Sequence, residues 1–278
     1  MTETTIDREF EALTEKIARE RGFGCASYKE RCLRRRIAVR MRARGVHTYA
    51  DYASVLDTDA HEYDLLLDAL TINVTKLFRN WETFRAIETT CVPALWALPD
   101  PALRVWSAGC ASGEEAHSLG ILMHRYVVDR GESSRLGRVG VIGTDIDRAS
   151  LEAARRGAYV EAAFADTPAE LRERYFSSTA PHVVHDAVRR LVRFEHRDLL
   201  SDAPPIPDLH LIACRNVLIY FDRPTQKRVL DHLCQLLAPG GYLFLGHSDS
   251  ITGLNLPLGP CVPSVYRKAP DAPARRGG

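Results

Sequence analysis

From about Trp81 onward the chain alternates apolar, β-rich runs with helical stretches, and this alternation is the strongest constraint on its fold. The runs are LRVWSAG, VGVIGTDI, VRFEH, LHLIACRN and GYLFLGHS. Most are rich in Val, Ile, Leu and aromatic residues, as strands covered on both faces require. Strands alternating with helices build a mostly parallel sheet flanked by helices, an α/β architecture. In such a sheet, ligand-binding groups gather beyond the carboxyl ends of the strands, where the strand order reverses.

The region before the alternation reads differently. Apolar residues recur at helical spacing, first Phe10, Leu13 and Ile17, then Leu33, Ile37 and Met41, which predicts a small helical domain over residues 1–75. The sheet domain then occupies 76–268. Between Arg156 and Phe194 the chain is too long for an ordinary strand-to-helix connection. It holds a helical run, TPAELRERYF, and β-like pieces around Val183–Val184 and Val188, so a small β-containing subdomain is expected as an insertion at 157–195. Residues 269–278, APDAPARRGG, have little to bury and read as a disordered tail.

Composition narrows the function classes. No stretch approaches the ~18 apolar residues of a membrane span, and the start MTETTIDREFE lacks the apolar core of a secretory signal. The expected address is cytoplasmic, without insertion into a membrane. The seven cysteines form no CxxC pair and no cluster with His at zinc spacing, so they read as free thiols rather than disulfides or a metal site. A formal charge of +1 argues against a surface that binds nucleic acid throughout. The charge is nevertheless segregated: residues 29–44 carry Lys29 and seven arginines against one acid, Glu30. Arg31, Arg35 and Arg42 fall near one another on a helical wheel, largely opposite Leu33, Ile37 and Met41.

Four polar groups sit where strands should end. After LRVWSA comes GCASGEE, Gly109 to Glu115, a glycine-rich turn that lets the backbone approach a nucleotide or simply closes a tight turn. The run VIGTDID places Asp145 at the next strand end, where a carboxylate can accept both ribose hydroxyls of an adenosine, whereas Asp147 reads as the N-cap of the helix RASLEAARR. Asp198-Leu199 follow VRFEHR, and Arg215-Asn216 follow LHLIAC; Arg215 could equally pair with an acid at the sheet edge. The linker TINVTKLFRN, residues 71–80, is polar enough to be an ordinary connection.

Taken together, NVTKLFR, VWSAGCASGEEAHSL, GTDIDRASLEAARRGAY, VRFEHRDLL, LIACRNVLIYFDRPTQKRVL and LAPGGYLFLGHSDS resemble, in order, the CheR family of chemoreceptor glutamate methyltransferases. The arginine-rich helix resembles that family's amino-terminal domain. The resemblance implies a class I, Rossmann-like methyltransferase sheet that uses S-adenosylmethionine and releases S-adenosylhomocysteine. It implies cofactor contacts at Asn73, Thr75, Arg79, Gly109, Glu114 or Glu115, Asp145, Asp198, Leu199, Arg215 and Asn216. Arg79 and Tyr220 are the expected catalytic residues, with Tyr220 near the methyl group or packed as an aromatic at the sheet edge. Arg31, Arg35 and Arg42 are expected to grip acidic helices of a chemoreceptor cytoplasmic domain, the alternative being a solvated basic face. The chain departs from the family pattern at Leu77-Phe78, Ala116-His117, Asp198 and Asp249.

The expected reaction is methyl esterification of receptor glutamates. Two other functions fit the same fold: a methyltransferase acting on another acceptor, and a cofactor-binding signalling scaffold without turnover.

Overall fold

A computed structural model describes residues 3–71, 75–99 and 101–269; the expected tail, apart from Ala269, lies outside the described residues. The chain divides into two compact units, Met1–Ile72 with Ile219–Gln226, and Asn73–Leu218 with Lys227–Gly278. Among the described residues no helix is long and apolar enough to cross a membrane.

The first unit is helical: α1 (Glu3–Arg21), α2 (Glu30–Ala43), α3 (Tyr49–Thr58) and α4 (Ala60–Leu70). The periodic residues Phe10, Leu13, Ile17, Leu33, Ile37 and Met41 are all buried in it. Thr48 caps α3 by accepting the Asp51 N–H at 3.0 Å, and Asp59 caps α4 by accepting that of Glu62 at 3.0 Å. Four of the seven arginines in the basic run are consumed internally. Arg40 forks onto the buried Glu62 carboxylate at 3.0 and 2.6 Å, with Tyr52 donating to it at 2.7 Å and Arg44 3.9 Å away. Arg34 pairs with Asp7 at 2.7 Å and lies over the Phe10 ring, 4.0 Å from its centre. Arg36 is buried, donates to the Leu70 carbonyl and lies 4.6 Å from the centre of the Tyr220 ring. Arg31, Arg35 and Arg42 remain exposed.

Glu62 makes the helical unit pH-sensitive. Burial alone would raise its pKa, but the Arg40 fork, the Tyr52 hydroxyl and Arg44 together hold it below the usual value. Because the folded carboxyl titrates below the unfolded one, its stabilisation is complete above the unfolded pKa and disappears as pH falls through the folded one. Glu62→Ala, which strands Arg40 and Tyr52, should cost about 3 kcal/mol at neutral pH. Urea denaturation followed by circular dichroism at pH 7 and pH 4 would measure this, and the gap between wild type and variant should narrow in acid.

The second unit opens with α5 (Trp81–Ala86), one turn of π-helix (Ile87–Cys91) and α6 (Val92–Trp96), so the sheet starts later than the sequence pattern suggests. Then follow β1 (Leu103–Ala108), α7 (Glu114–Asp129), β2 (Val139–Asp145), α8 (Arg148–Arg156), β3 (Ala158–Tyr159), α9 (Ala169–Tyr175), β4 (His182–Val183), α10 (Asp186–Arg189) and β5 (Val192–His196). The chain ends with β6 (Leu209–Cys214), α11 (Arg223–Leu236), β7 (Leu237–Leu245), β8 (Leu258–Val262) and β9 (Val265–Lys268).

Seven strands form one sheet in the order β5-β2-β1-β6-β7-β9-β8. The first five run parallel, β9 is antiparallel to β7, and β8 is antiparallel to β9. Strand order reverses between β1 and β6, which opens a crevice beyond their carboxyl ends. Every residue of β6 is buried, whereas β5, at the edge, is only partly covered. The inserted segment carries a two-stranded antiparallel sheet, β3 with β4, while β5 from Val192 belongs to the main sheet. Val188, read as β-like from sequence, is instead the buried anchor of the short helix α10.

Candidate functional site

The crevice is built from backbone that turns sharply at each strand end. After β1, the Gly109 and Cys110 N–H groups both donate to the Thr144 carbonyl of β2, at 2.8 and 2.9 Å. Gly109 adopts φ 75°, and a Cβ there would run into the Val217 side chain, so both conformation and space demand glycine. Asp145 lies at the end of β2 and is 9% exposed. Its Oδ2 accepts the Ala111 N–H at 2.8 Å and its Oδ1 that of Asp147 at 2.9 Å. Burial raises the Asp145 pKa, and these backbone donors oppose the rise. A carboxylate offers about four acceptor directions, so capacity for a ribose diol remains. Asp147 caps α8, accepting from Ala149 at 2.8 Å and Ser150 at 3.3 Å.

The two glutamates that open α7 have different partners. Glu115 accepts from Ser107 Oγ at 2.7 Å and faces Arg215 Nη1 at 3.5 Å. Burial pushes its pKa up, while Arg215, Ser107 and Arg79 favour the ionised form. Glu114 meets the Ser112 hydroxyl at 3.0 and 2.8 Å, and burial raises its pKa too.

Arg215, at the end of β6, ties these parts together. Its Nη2 donates to the Arg79 carbonyl and the Asn80 Oδ1, both at 2.8 Å, and its guanidinium lies over Phe244, 4.3 Å from the ring centre. The reading of Arg215 as the partner of an acid thus holds, and the same residue also fixes the linker. Burial lowers its pKa, and an arginine remains charged in any case. Asn73 lies outside the described residues, and Thr75 and Arg79 are half-buried on the linker.

Asp198 follows β5, whose His196 is paired with Asp145. Its carboxylate is engaged in a local turn, accepting from Leu200 N at 2.8 Å and Ser201 Oγ at 2.9 Å; Leu199 beside it is half-buried. Tyr220 groups with the helical unit, where its ring packs with Arg36 and its carbonyl accepts from Lys29 N at 2.8 Å. That packing is onto α2 of the helical unit, a different partner from the sheet edge expected from the sequence.

Four non-glycine residues around the crevice adopt left-handed backbone: Phe78 (φ 52°), Asn80 (φ 65°), Ala111 (φ 47°) and Asn216 (φ 58°). Such conformations cost about 1–3 kcal/mol each unless the surroundings enforce them. Here each N–H is held by a side-chain oxygen. Ser118 Oγ accepts from Phe78 at 2.9 Å, Asp166 from Asn80 at 3.0 Å, Asp145 from Ala111 at 2.8 Å, and Asp249 from Asn216 at 3.0 Å. The Asp249 Oδ2 also accepts the Gly246 N–H at 2.9 Å, tying the ends of β6 and β7. Ser118, Asp166 and the clamping role of Asp249 escaped sequence reasoning. A serine inside a helix, an acid in an insertion and an acid after a strand give no local sign of the distant N–H each one holds.

The residues present fit an adenosyl ligand: an anionic strand end with spare acceptor capacity, a glycine turn that admits close approach, and a buried Arg215 Nε that has no hydrogen-bond partner among the described residues.

Residues 73–261 match the SAM-binding domain of CheR methyltransferases, and residues 8–71 match their all-alpha domain. Chemotaxis protein methyltransferase 2 of Pseudomonas aeruginosa is 33% identical over 248 residues, covering 87% of this chain and 86% of that protein. The chemotaxis protein methyltransferase of Klebsiella aerogenes is 32% identical over 258 residues, covering 90% and 85%. That of Escherichia coli is 30% identical over 256 residues, covering 89% and 86%.

Proposed function

Because the chain belongs to the CheR methyltransferase family, we propose that it transfers the methyl group of S-adenosylmethionine to glutamate side chains of chemoreceptor cytoplasmic domains, acting in the cytoplasm and releasing S-adenosylhomocysteine. The observation that carries this reading is the match of both domains, because the helical part distinguishes the family from methyltransferases that share only the sheet.

The bound cofactor supplies an electrophilic methyl carbon on a sulfonium. A glutamate acceptor with a pKa of about 4.3 is ionised at neutral pH, so no general base is needed. Because charge would vanish as anion meets cation, burial of the acceptor and cofactor away from water would favour the transition state. The protein's part is positioning. Asp145 would hold the ribose, and the turn at Gly109 would let backbone approach the ligand closely. Glu114, held by Ser112, or Glu115, held by Ser107 and Arg215, supplies a further acceptor behind the loop. Arg79, whose charge favours ionisation of Glu115, is assigned to the methyl-bearing end by the family resemblance. Asn73, Thr75, Asp198, Leu199 and Asn216 complete the set, the role of Asp198 resting on backbone position because its carboxylate serves the local turn.

Asp145→Ala should weaken S-adenosylhomocysteine by about 1.5–3 kcal/mol, the worth of hydrogen bonds to a charged acceptor. Calorimetry reads this directly, and an unchanged affinity would remove Asp145 from the site. The reaction itself is tested by transfer from methyl-labelled cofactor to membranes carrying cognate receptors, followed by mild alkali. Volatile labelled methanol identifies a carboxyl ester, and its absence overturns the proposed acceptor.

A further inference from the structure

Outside the cofactor crevice, the sheet unit holds a second concavity. It is a groove of about 400 Å³ formed by α8, α10 and the edge strand β5. Arg155, Arg189, Arg190 and Arg193 line it against a single acid, Asp186, with Phe194 as an aromatic wall and His117 at its base.

The arginines are oriented by the fold. Arg155 Nη2 donates to the Phe194 carbonyl at 3.1 Å, and Arg189 Nη2 donates to the Arg155 carbonyl at 3.3 Å. Three of them also touch surface acids: Arg155 with Glu152, Arg189 with Asp186, and Arg193 with Glu195. Pairs this exposed contribute about 0–1 kcal/mol and are readily exchanged for a better anion. Arg190 is exposed and enters no ion pair among the described residues. Guanidinium forks match phosphate oxygens in bidentate fashion, and an aromatic wall suits the face of a base. A groove of this size takes a small ligand.

The base of the groove leads to the cofactor loop. His117 is 2% exposed, and burial, then Arg189, push its pKa down to about 3, so it stays neutral. Its Nδ1 lies 2.7 Å from the Tyr159 hydroxyl, which donates to the Ser112 carbonyl at 3.1 Å. Tyr159 has one proton, so with that proton on Ser112 the imidazole donates from Nδ1. Ser112 in turn sits in the glycine loop and holds Glu114.

We propose that this groove binds a small phosphate-bearing ligand of nucleotide type, and that its occupancy changes cofactor affinity through His117, Tyr159 and Ser112.

The test is calorimetry on the full chain at constant ionic strength with inorganic triphosphate, ATP, GTP and an acidic peptide of matched charge. S-adenosylhomocysteine binding is measured first without these probes, so failure of the cofactor site is distinguishable from failure of the groove. Saturable binding of triphosphate or a nucleotide is expected, weakened at least tenfold in R190E/R193E, whose exposed positions leave the fold intact. Nucleotides binding more tightly than triphosphate would assign the base to Phe194; triphosphate alone would assign the site to phosphate only and overturn the nucleotide class. Saturating ligand should shift S-adenosylhomocysteine affinity at least threefold in wild type and not in R190E/R193E. No saturable binding, binding unaffected by the double substitution, or preference for the acidic peptide overturns the site. An unshifted cofactor affinity overturns the coupling.

Discussion

A receptor domain whose target glutamates are replaced by glutamine should take up no methyl label, a fall of at least a thousandfold against the matched glutamate substrate. The two acceptors have nearly the same shape, so binding should survive and the loss should fall on the chemical step. An amide has no anionic oxygen, and no base among the proposed site residues is assigned to activate it. A thousandfold corresponds to about 4 kcal/mol of barrier, comparable with the attraction of two unit charges about 4 Å apart at an effective dielectric of about 20. On the glutamate substrate the rate should also decline in acid as the free carboxylate protonates near its ordinary pKa of about 4.3. Label incorporation into the matched pair, with alkali lability of the product, decides the matter. Equal incorporation or an alkali-stable product would favour a different acceptor group.

Charge reversal at Arg35 and Arg42 should lower kcat/KM for receptor methylation at least a hundredfold while leaving S-adenosylhomocysteine affinity unchanged. The neighbouring arginines 34, 36, 40 and 44 are held by Asp7, Leu70, Glu62 and Asp59, so their replacement would confound binding with stability. Arg31, Arg35 and Arg42 are exposed and make no ion pair among the described residues, so they can be reversed without disturbing those internal partners. On the reading that this face grips an acidic receptor helix, reversal turns attraction into repulsion, which costs several kcal/mol, and about 1.4 kcal/mol is tenfold. Raising salt should weaken the wild type in the same sense, since exposed charges are screened over about 8 Å at physiological ionic strength. Normal methylation by the double variant would show the face to be merely solvated.

The parallel sheet was legible because its strands are continuous apolar runs ending in polar residues, and Asp145 sits where such a run stops. The exposed stripe of Arg31, Arg35 and Arg42 followed from helical geometry alone. What escaped was non-local or poorly patterned. The β8 strand reads LGPCV, with Gly, Pro and Cys in place of alternation, and is defined by pairing with β9 rather than by its own propensity. The segment from Trp81 to Trp96 is helical because Phe84, Ile87, Val92 and Leu95 bury one face, a spacing blurred by the π turn. Three of the four oxygens that hold the left-handed residues come from Ser118, Asp166 and Asp249, each far along the chain from the N–H it serves.

The helical unit is not closed by its own first residues. Phe221 bridges to Tyr28, the Asp222 N–H donates to the Ser27 carbonyl at 3.2 Å, and Tyr220 covers Arg36. Residues 219–226 leave the ribosome only after 73–218 have been made. At about 5–20 residues per second, the amino-terminal helices therefore wait on the order of ten seconds for their last piece. During that interval the Arg36 guanidinium lacks its aromatic cover, and completion of the arginine-bearing unit is timed to follow synthesis of the strands that carry Asp145 and Arg215. The order of translation thus makes assembly of the helical part conditional on the first six strands of the cofactor-binding part having already been made, with β7, β8 and β9 still to come.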